Sequence, residues 1–178
     1  MRIGLTIFAT DLTIDPVTLA RAAEERGFAS LYLPEHTHIP VSRATAVPTG
    51  DAELPDEYRR TLDPLVALAG AAAVTTELRL GTGVSLVAQH DPIVMAKQLA
   101  TLDSMSGGRF TLGVGFGWNR EEMASHGVTY ATRRDQVREH VLAMQALWRD
   151  DEASFEGRFV HLAPSWQWPK PHRRPPRR

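Results

Sequence analysis

The sequence predicts an α/β fold of parallel βα units, and three observations carry that prediction. Short apolar runs alternate with longer Ala-, Leu- and Val-rich stretches along most of the 178 residues. The short runs lack the polar–apolar alternation of a half-exposed sheet, as strands covered on both faces do. Three of the longer stretches also open on the same dipeptide, Asp-Pro, at 15–16, 63–64 and 91–92. An aspartate at the cap accepts orphan N–H groups of the first turn. A proline at the first helical position lacks only a donor that would have no partner there.

The elements follow in order. "RIGLTIF" at 2–8 reads as the first strand, followed by a helix over 16–26 that Gly27 stops. "ASLYLP" at 29–34 is the second strand. The connection after it, 35–61, is unusually long and carries Pro40, Pro48, Gly50 and Pro55; such connections in compact domains are commonly functional. A second helix spans 64–75, a third strand 78–87 and a third helix 92–105, closed by Gly107 and Gly108. "RFTLGVG" at 109–115 is the fourth strand. The last helix, about 132–149, starts at a box-like Thr132-x-x-Asp135 and repeats Val137, Val141, Met144 and Trp148 on one face, a stripe read as core packing. "ASFEGRFVHL" suits a small hairpin or an extended arm, and "PSWQWPKP" has too many prolines for a central strand. Strand–helix alternation of this kind makes parallel crossovers with the helices outside. Four such units are half of an eight-unit barrel.

Composition narrows the function classes. With 43% hydrophobic and 23% charged residues, the chain suits an ordinary soluble globular domain. No apolar run reaches the ~20 residues that cross a bilayer. "MRIGLTIF" has no signal-peptide layout, so a cytoplasmic protein is expected. The absence of cysteine excludes disulfides, thiolate metal sites and a cysteine nucleophile. The closing "PKPHRRPPRR" holds five of the 20 basic residues against 21 acids in the whole chain, which leaves the body net acidic. Without a basic stripe there, neither nucleic acid nor membrane is an expected partner.

Three segments carry candidate chemistry, each at the carboxyl end of a predicted strand, where α/β folds bind ligands. "LPEHTHIP" at 33–40 holds Glu35, His36 and His38. A His-x-His pair can ligate metal, with His90-Asp91 as further donors, but late-strand ligands to complete such a site are missing. His36 can instead polarise a carbonyl or exchange a proton, or be a solvated loop residue. "LGTGVSLVAQHDP" at 80–92 puts Gly81 and Gly83 ahead of Ser85, and strand glycines mark a bulge or a close approach. "RFTLGVGFGWNREE" at 109–122 spaces Gly113, Gly115 and Gly117 alternately. A dinucleotide fingerprint needs G-x-G-x-x-G after the first strand, so these glycines serve either tight strand packing or a planar ligand. Neither a G-x-S-x-G elbow nor a P-loop occurs.

Together "LPEHTHIP", "DPLVALAGAAAVTTELRLGTGVSLV", "DPIVMAKQLATLDSMSGGRFTLGVGFGWNREEM" and "LWRD" closely resemble the bacterial luciferase-like monooxygenase superfamily, in particular its F420-dependent oxidoreductase branch. The likeness runs over residues 1–163, with 102–118 its most specific part; residues 164–178 are expected to form a disordered Pro/Arg-rich tail. The resemblance implies half to two-thirds of a (β/α)8 TIM barrel that binds coenzyme F420, or alternatively FMN, at the strand ends and acts on a small-molecule substrate. It places Glu35 and His36 beside the ring as the catalytic pair, His36 as proton donor or carbonyl polariser. It also implies a bulge at Gly83, Val84 and Ser85, often with a non-proline cis peptide, bracing one ring face. Gly115, Phe116, Gly117, Trp118 and Asn119 would meet the ring or its side chain. Some deazaflavin enzymes have Thr-Gly-Glu where this chain has Phe116-Gly117-Trp118, so those contacts do not transfer.

Family members continue for four more βα units, which hold much of the cofactor phosphate. The resemblance therefore implies a truncated chain with weakened cofactor binding and doubtful competence. Open edges and uncovered apolar faces would make it poorly stable, or a homodimer joined through its half-barrel edges. The alternatives are an FMN-dependent monooxygenase, a metal-dependent barrel hydrolase and a non-catalytic remnant.

Overall fold

The computed structural model describes residues 1–48, 50 and 53–173. Strands β1 (Gly4–Thr6), β2 (Ser30–Leu33), β3 (Arg79–Thr82) and β4 (Phe110–Thr111) lie side by side in chain order, every neighbouring pair parallel. Helices α1 (Pro16–Glu25), α2 (Glu57–Arg60), α3 (Pro64–Val74), α4 (Pro92–Met105), α5 (Arg120–Ser125) and α6 (Arg133–Arg149) alternate with them, α2 and α5 being short pieces in the connections after β2 and β4. Strands β5 (Ala153–Glu156) and β6 (His161–Ser165) close an antiparallel hairpin. Four parallel βα units with helices on one face of the sheet make half of a (β/α)8 barrel.

Local chemistry explains the helix starts. Asp15 accepts from the N–H groups of Val17 and Thr18, Asp63 from Val66, and Asp91 from Ile93 and Val94, so all three Asp-Pro caps form. Thr132 does not cap α6: its hydroxyl donates back to the carbonyl of Thr129 at 3.3 Å, because a 3-10 turn over Tyr130–Thr132 precedes the helix. The strands are shorter than the apolar runs. β3 ends at Thr82, and Val87–Gln89 is already a 3-10 turn.

Packing separates the two faces of the sheet. Leu31, Leu33 and Leu80 are buried in a core shared with Ala20 and Ala23 of α1 and Leu68, Ala71 and Ala72 of α3. Each such leucine contributes about 1.5–3 kcal/mol. The in-register residues of the other face are Gly4, Thr6, Ser30, Tyr32, Arg79, Gly81 and Thr111. This face mixes glycines with polar side chains and carries no aliphatic residue in register, unlike the apolar surface expected of an open half-barrel. Glycine and tyrosine had masked its alternation in the sequence. The α6 stripe packs as core: Val137 and Met144 are buried and Trp148 donates to the Ala96 carbonyl at 3.0 Å.

At the amino-terminal rim, Arg109 donates to the carbonyls of Ala72, Thr75, Leu78 and Ser106, locking the start of β4 to its neighbours. Beyond β6 the chain stays packed, unlike the tail expected from residue 164. Lys170 is buried and donates to the carbonyls of Leu147 (2.7 Å) and Asp150 (2.5 Å). The N–H of His172 donates to Asp103 at 2.6 Å. The remainder of that tail, 174–178, lies outside the described residues.

Candidate active site

The carboxyl ends of β2, β3 and β4 are tied into a closed circuit. From β2, Glu35 reaches the end of β3, where its Oε2 accepts from the Ser85 hydroxyl and the Leu86 N–H, both at 2.6 Å; its Oε1 meets His90 Nε2 at 2.6 Å. From β3, the Ser85 N–H donates to the Gly113 carbonyl and the Gly115 N–H returns to the Ser85 carbonyl, both at 2.8 Å. From β4 the chain turns into α5, and Glu122 reaches back to His36 Nδ1 at 2.8 Å. Three strand ends separated in sequence therefore hold one another.

Each sequence-predicted residue falls on or beside this circuit. Glu35 is 3% exposed with both oxygens engaged, so it braces the β3 end and presents no free carboxylate. Its neighbour His36 turns the other way, toward Glu122, with the ring of Tyr58 at 5.3 Å and that of Trp118 at 5.8 Å. The peptide bond Gly83–Val84 is cis, at the bulge position. Val84 (42% exposed) and Val114 (38%) remain uncovered at the strand ends. Phe116 is also uncovered but stands by the Arg134 guanidinium, 5.5 Å away, on the α6 side.

The alternating glycines serve close packing first. A Cβ on Gly113 would lie 2.1 Å from the Thr82 carbonyl oxygen, and one on Gly115 would lie 2.4 Å from Val84 Cγ2. Gly117 takes a φ of +75° at the turn toward α5. Asn119, expected to meet a ligand, is the cap of α5: its side-chain oxygen accepts from the N–H groups of Glu121 and Glu122, each at 3.2 Å. Its Nδ2 is buried and has no partner among the described residues.

The acids after Asn119 divide the work. Glu121 accepts from the Ala44 N–H, the Thr45 N–H and the Thr45 hydroxyl, pinning the long connection over the site. These donors lower its carboxyl to about 2. Glu122, 1% exposed, also accepts from the Thr37 N–H at 3.3 Å. Burial alone would raise Glu35, but His90, Ser85 and Leu86 outweigh it and hold the carboxyl below its ordinary value. The same contact with Glu35 raises His90.

His36 and His38 diverge: His38 meets the Thr37 hydroxyl at 3.0 Å and lies 5.5 Å, ring to ring, from His126. Among the described residues no group of three or more His, Asp or Glu is placed to hold a metal ion. Glu122, Tyr58 and the engagement of His90 were missed from sequence. The Asn-x-Glu-Glu start of a helix was readable there; its long-range pairing with His36 was not.

Comparison with known proteins follows the same lines. The chain is 54% identical over 173 residues to the uncharacterized protein Rv0953c of Mycobacterium tuberculosis, covering 96% of this chain and 61% of that one. Its fold superposes on monooxygenase RslO1 from Streptomyces bottropensis with a TM-score of 0.80 at 28% identity, over 98% of this chain and 51% of the other. An F420-dependent secondary alcohol dehydrogenase in complex with an F420-acetone adduct shares the fold at TM-score 0.73 and 23% identity, over 97% and 50%. The chain thus spans about three-fifths of its curated relative and half of these solved structures. A family model described as luciferase-like monooxygenase matches residues 15–177. With a match of that extent over this fold, the chain belongs to the luciferase-like monooxygenase family.

Proposed function

We propose that the chain carries the ring-binding half of a luciferase-like oxidoreductase that uses coenzyme F420, with FMN as the alternative, to transfer hydride or activate oxygen on a small organic substrate. The hydrogen-bonded circuit joining the ends of β2, β3 and β4 carries this reading. A flavin-type ring needs a flat apolar support with polar groups at its edges. Val84 and Val114 lie uncovered at the strand ends, and Asn119, five residues after Val114, keeps a buried Nδ2 donor without a partner among the described residues; these residues fit such a ring. When bound, the ring supplies hydride exchange and, as FMN, reaction with oxygen.

The chain's own residues divide the remaining roles. His36 donates or accepts a proton at the substrate, or polarises its carbonyl. Val84 and Val114 support the ring, and Gly115 to Trp118 border it. Tyr58 and Trp118 flank His36 and limit water around it. Glu35 keeps the β3 end in place through Ser85 and Leu86. A cytoplasmic location belongs to the same reading; among the described residues no helix is long and apolar enough to cross a membrane.

Fluorescence titration of the chain with F420 and with FMN tests the proposal. Binding weaker than about 1 μM, or about −8 kcal/mol, is expected, because four βα units supply few phosphate contacts. No response to either molecule up to about 1 mM would overturn it. Oxygen uptake coupled to turnover would select FMN over F420.

Among the described residues β1 and β4 flank the sheet, and we propose that in this chain by itself they pair with those of a second copy. Both strands run the same way, so β4 of each copy meets β1 of the other and closes an eight-stranded ring without edges. Light scattering is expected to give twice the chain mass; a monodisperse, thermally stable monomer would sink this pairing.

A further inference from the structure

We infer that Glu122 is a positioning residue that fixes the protonation pattern of His36, an inference that rests on the proton-handling role given to His36 above. The two side chains are 86 positions apart, yet both are buried, at 7% and 1% side-chain exposure, and meet at 2.8 Å through Nδ1 and Oε2. A carboxylate can only accept here, so Nδ1 of His36 carries a proton. The neutral ring then has its lone pair on Nε2, on the far side of the ring and without a partner among the described residues.

The carboxylate is itself held. Oε1 accepts from the Thr37 N–H at 3.3 Å, so Glu122 grips both the ring and the backbone of the β2 end. Asn119 caps the first turn of α5 through the Glu121 and Glu122 N–H groups, which sets where Glu122 leaves the helix. Tyr58 and Trp118 flank the imidazole at 5.3 and 5.8 Å and restrict its plane. The turn after β4 therefore sets the tautomer through Glu122 and, with Tyr58 of α2, the plane of the ring. This is the work done by the stretch "GWNREE" beyond close packing.

The proton step balances without any further group. A substrate O–H bond breaks with its electron pair left on the substrate oxygen, an Nε2–H bond forms, and the positive charge on the ring faces the Glu122 carboxylate. In the reverse direction Nε2 returns that proton. A ring oriented by a carboxylate at its other nitrogen is held in one tautomer for such exchange.

The test reads the tautomer directly and needs no cofactor. In the histidine-labelled chain, long-range proton–nitrogen spectra above the imidazole titration are expected to show His36, assigned by its loss in His36→Gln, with the proton on Nδ1. Glu122→Ala should move it to a mixture or to the Nε2–H form. Glu122→Leu, which fills similar space and offers Nδ1 no acceptor, should do the same if the alanine variant does not fold. An Nε2–H form in the native chain, or an unchanged pattern in a folded Glu122 variant, would overturn the inference. A fixed Nδ1–H tautomer alongside failed F420 and FMN titrations would instead remove the proposed function and leave the Glu122–His36 unit standing.

Discussion

Replacing Glu35 with alanine is expected to destabilise the protein by about 3–5 kcal/mol, the cost typical of removing one partner of a buried ion pair. The change strands three groups at once: the Ser85 hydroxyl, the Leu86 N–H and His90 Nε2, all now within 2.6 Å of the carboxylate. Each buried donor left without an acceptor costs about 1–3 kcal/mol, part of it recovered by water entering the gap. Urea denaturation of Glu35→Ala against the native chain measures the loss; a change under about 1 kcal/mol would show that the brace is ornamental.

The same pair sets a pH window for stability. Glu35 lies below its ordinary 4.5 in the folded chain, so its contribution is present above 4.5 and fades as acid protonates it through that lowered value. His90 is raised above its ordinary 6.5, so its contribution is complete below 6.5 and is lost as the pH climbs through the raised value. The pair therefore contributes most between those two ordinary values. In Glu35→Ala this part of the pH profile should flatten.

Much of the frame was legible because its signals are local. A cap aspartate next to a proline acts within one helical turn, and all three such starts form as read. The parallel order followed from strand–helix alternation. What escaped reading was long-range pairing. His36 and Glu122, or Glu35 and His90, are ordinary residues in their own neighbourhoods and become units only when segments 55 to 86 positions apart converge. Thr132 shows the converse: its spacing suits a capping box, but the turn before it redirects the hydroxyl. The polar inner face was hidden for a simpler reason. Gly4, Tyr32 and Gly81 look apolar in a run yet occupy the face opposite the leucines.

Gly113→Ala is the second large effect, and it separates close packing from ligand clearance as the reason for the glycine series. The added methyl would sit 2.1 Å from the Thr82 carbonyl oxygen and 3.3 Å from its carbon, backbone atoms that cannot swing aside as a side chain can. Relief requires β3 and β4 to part at their ends. The Ser85-to-Gly113 and Gly115-to-Ser85 hydrogen bonds go with them, as do both contacts between Gly113 and the Thr82 hydroxyl, at 2.9 and 3.0 Å. Overpacking alone costs about 1–3 kcal/mol, and the broken bonds add about 1 kcal/mol each, so a loss of roughly 3 kcal/mol or more is expected. Hydrogen exchange at the Ser85 and Gly115 amides should rise well before global unfolding, since only the strand ends open. If the variant keeps native stability and native exchange at those two amides, the ends of β3 and β4 are not clamped by this glycine. The circuit that positions Val84 and His36 would then need another source of rigidity.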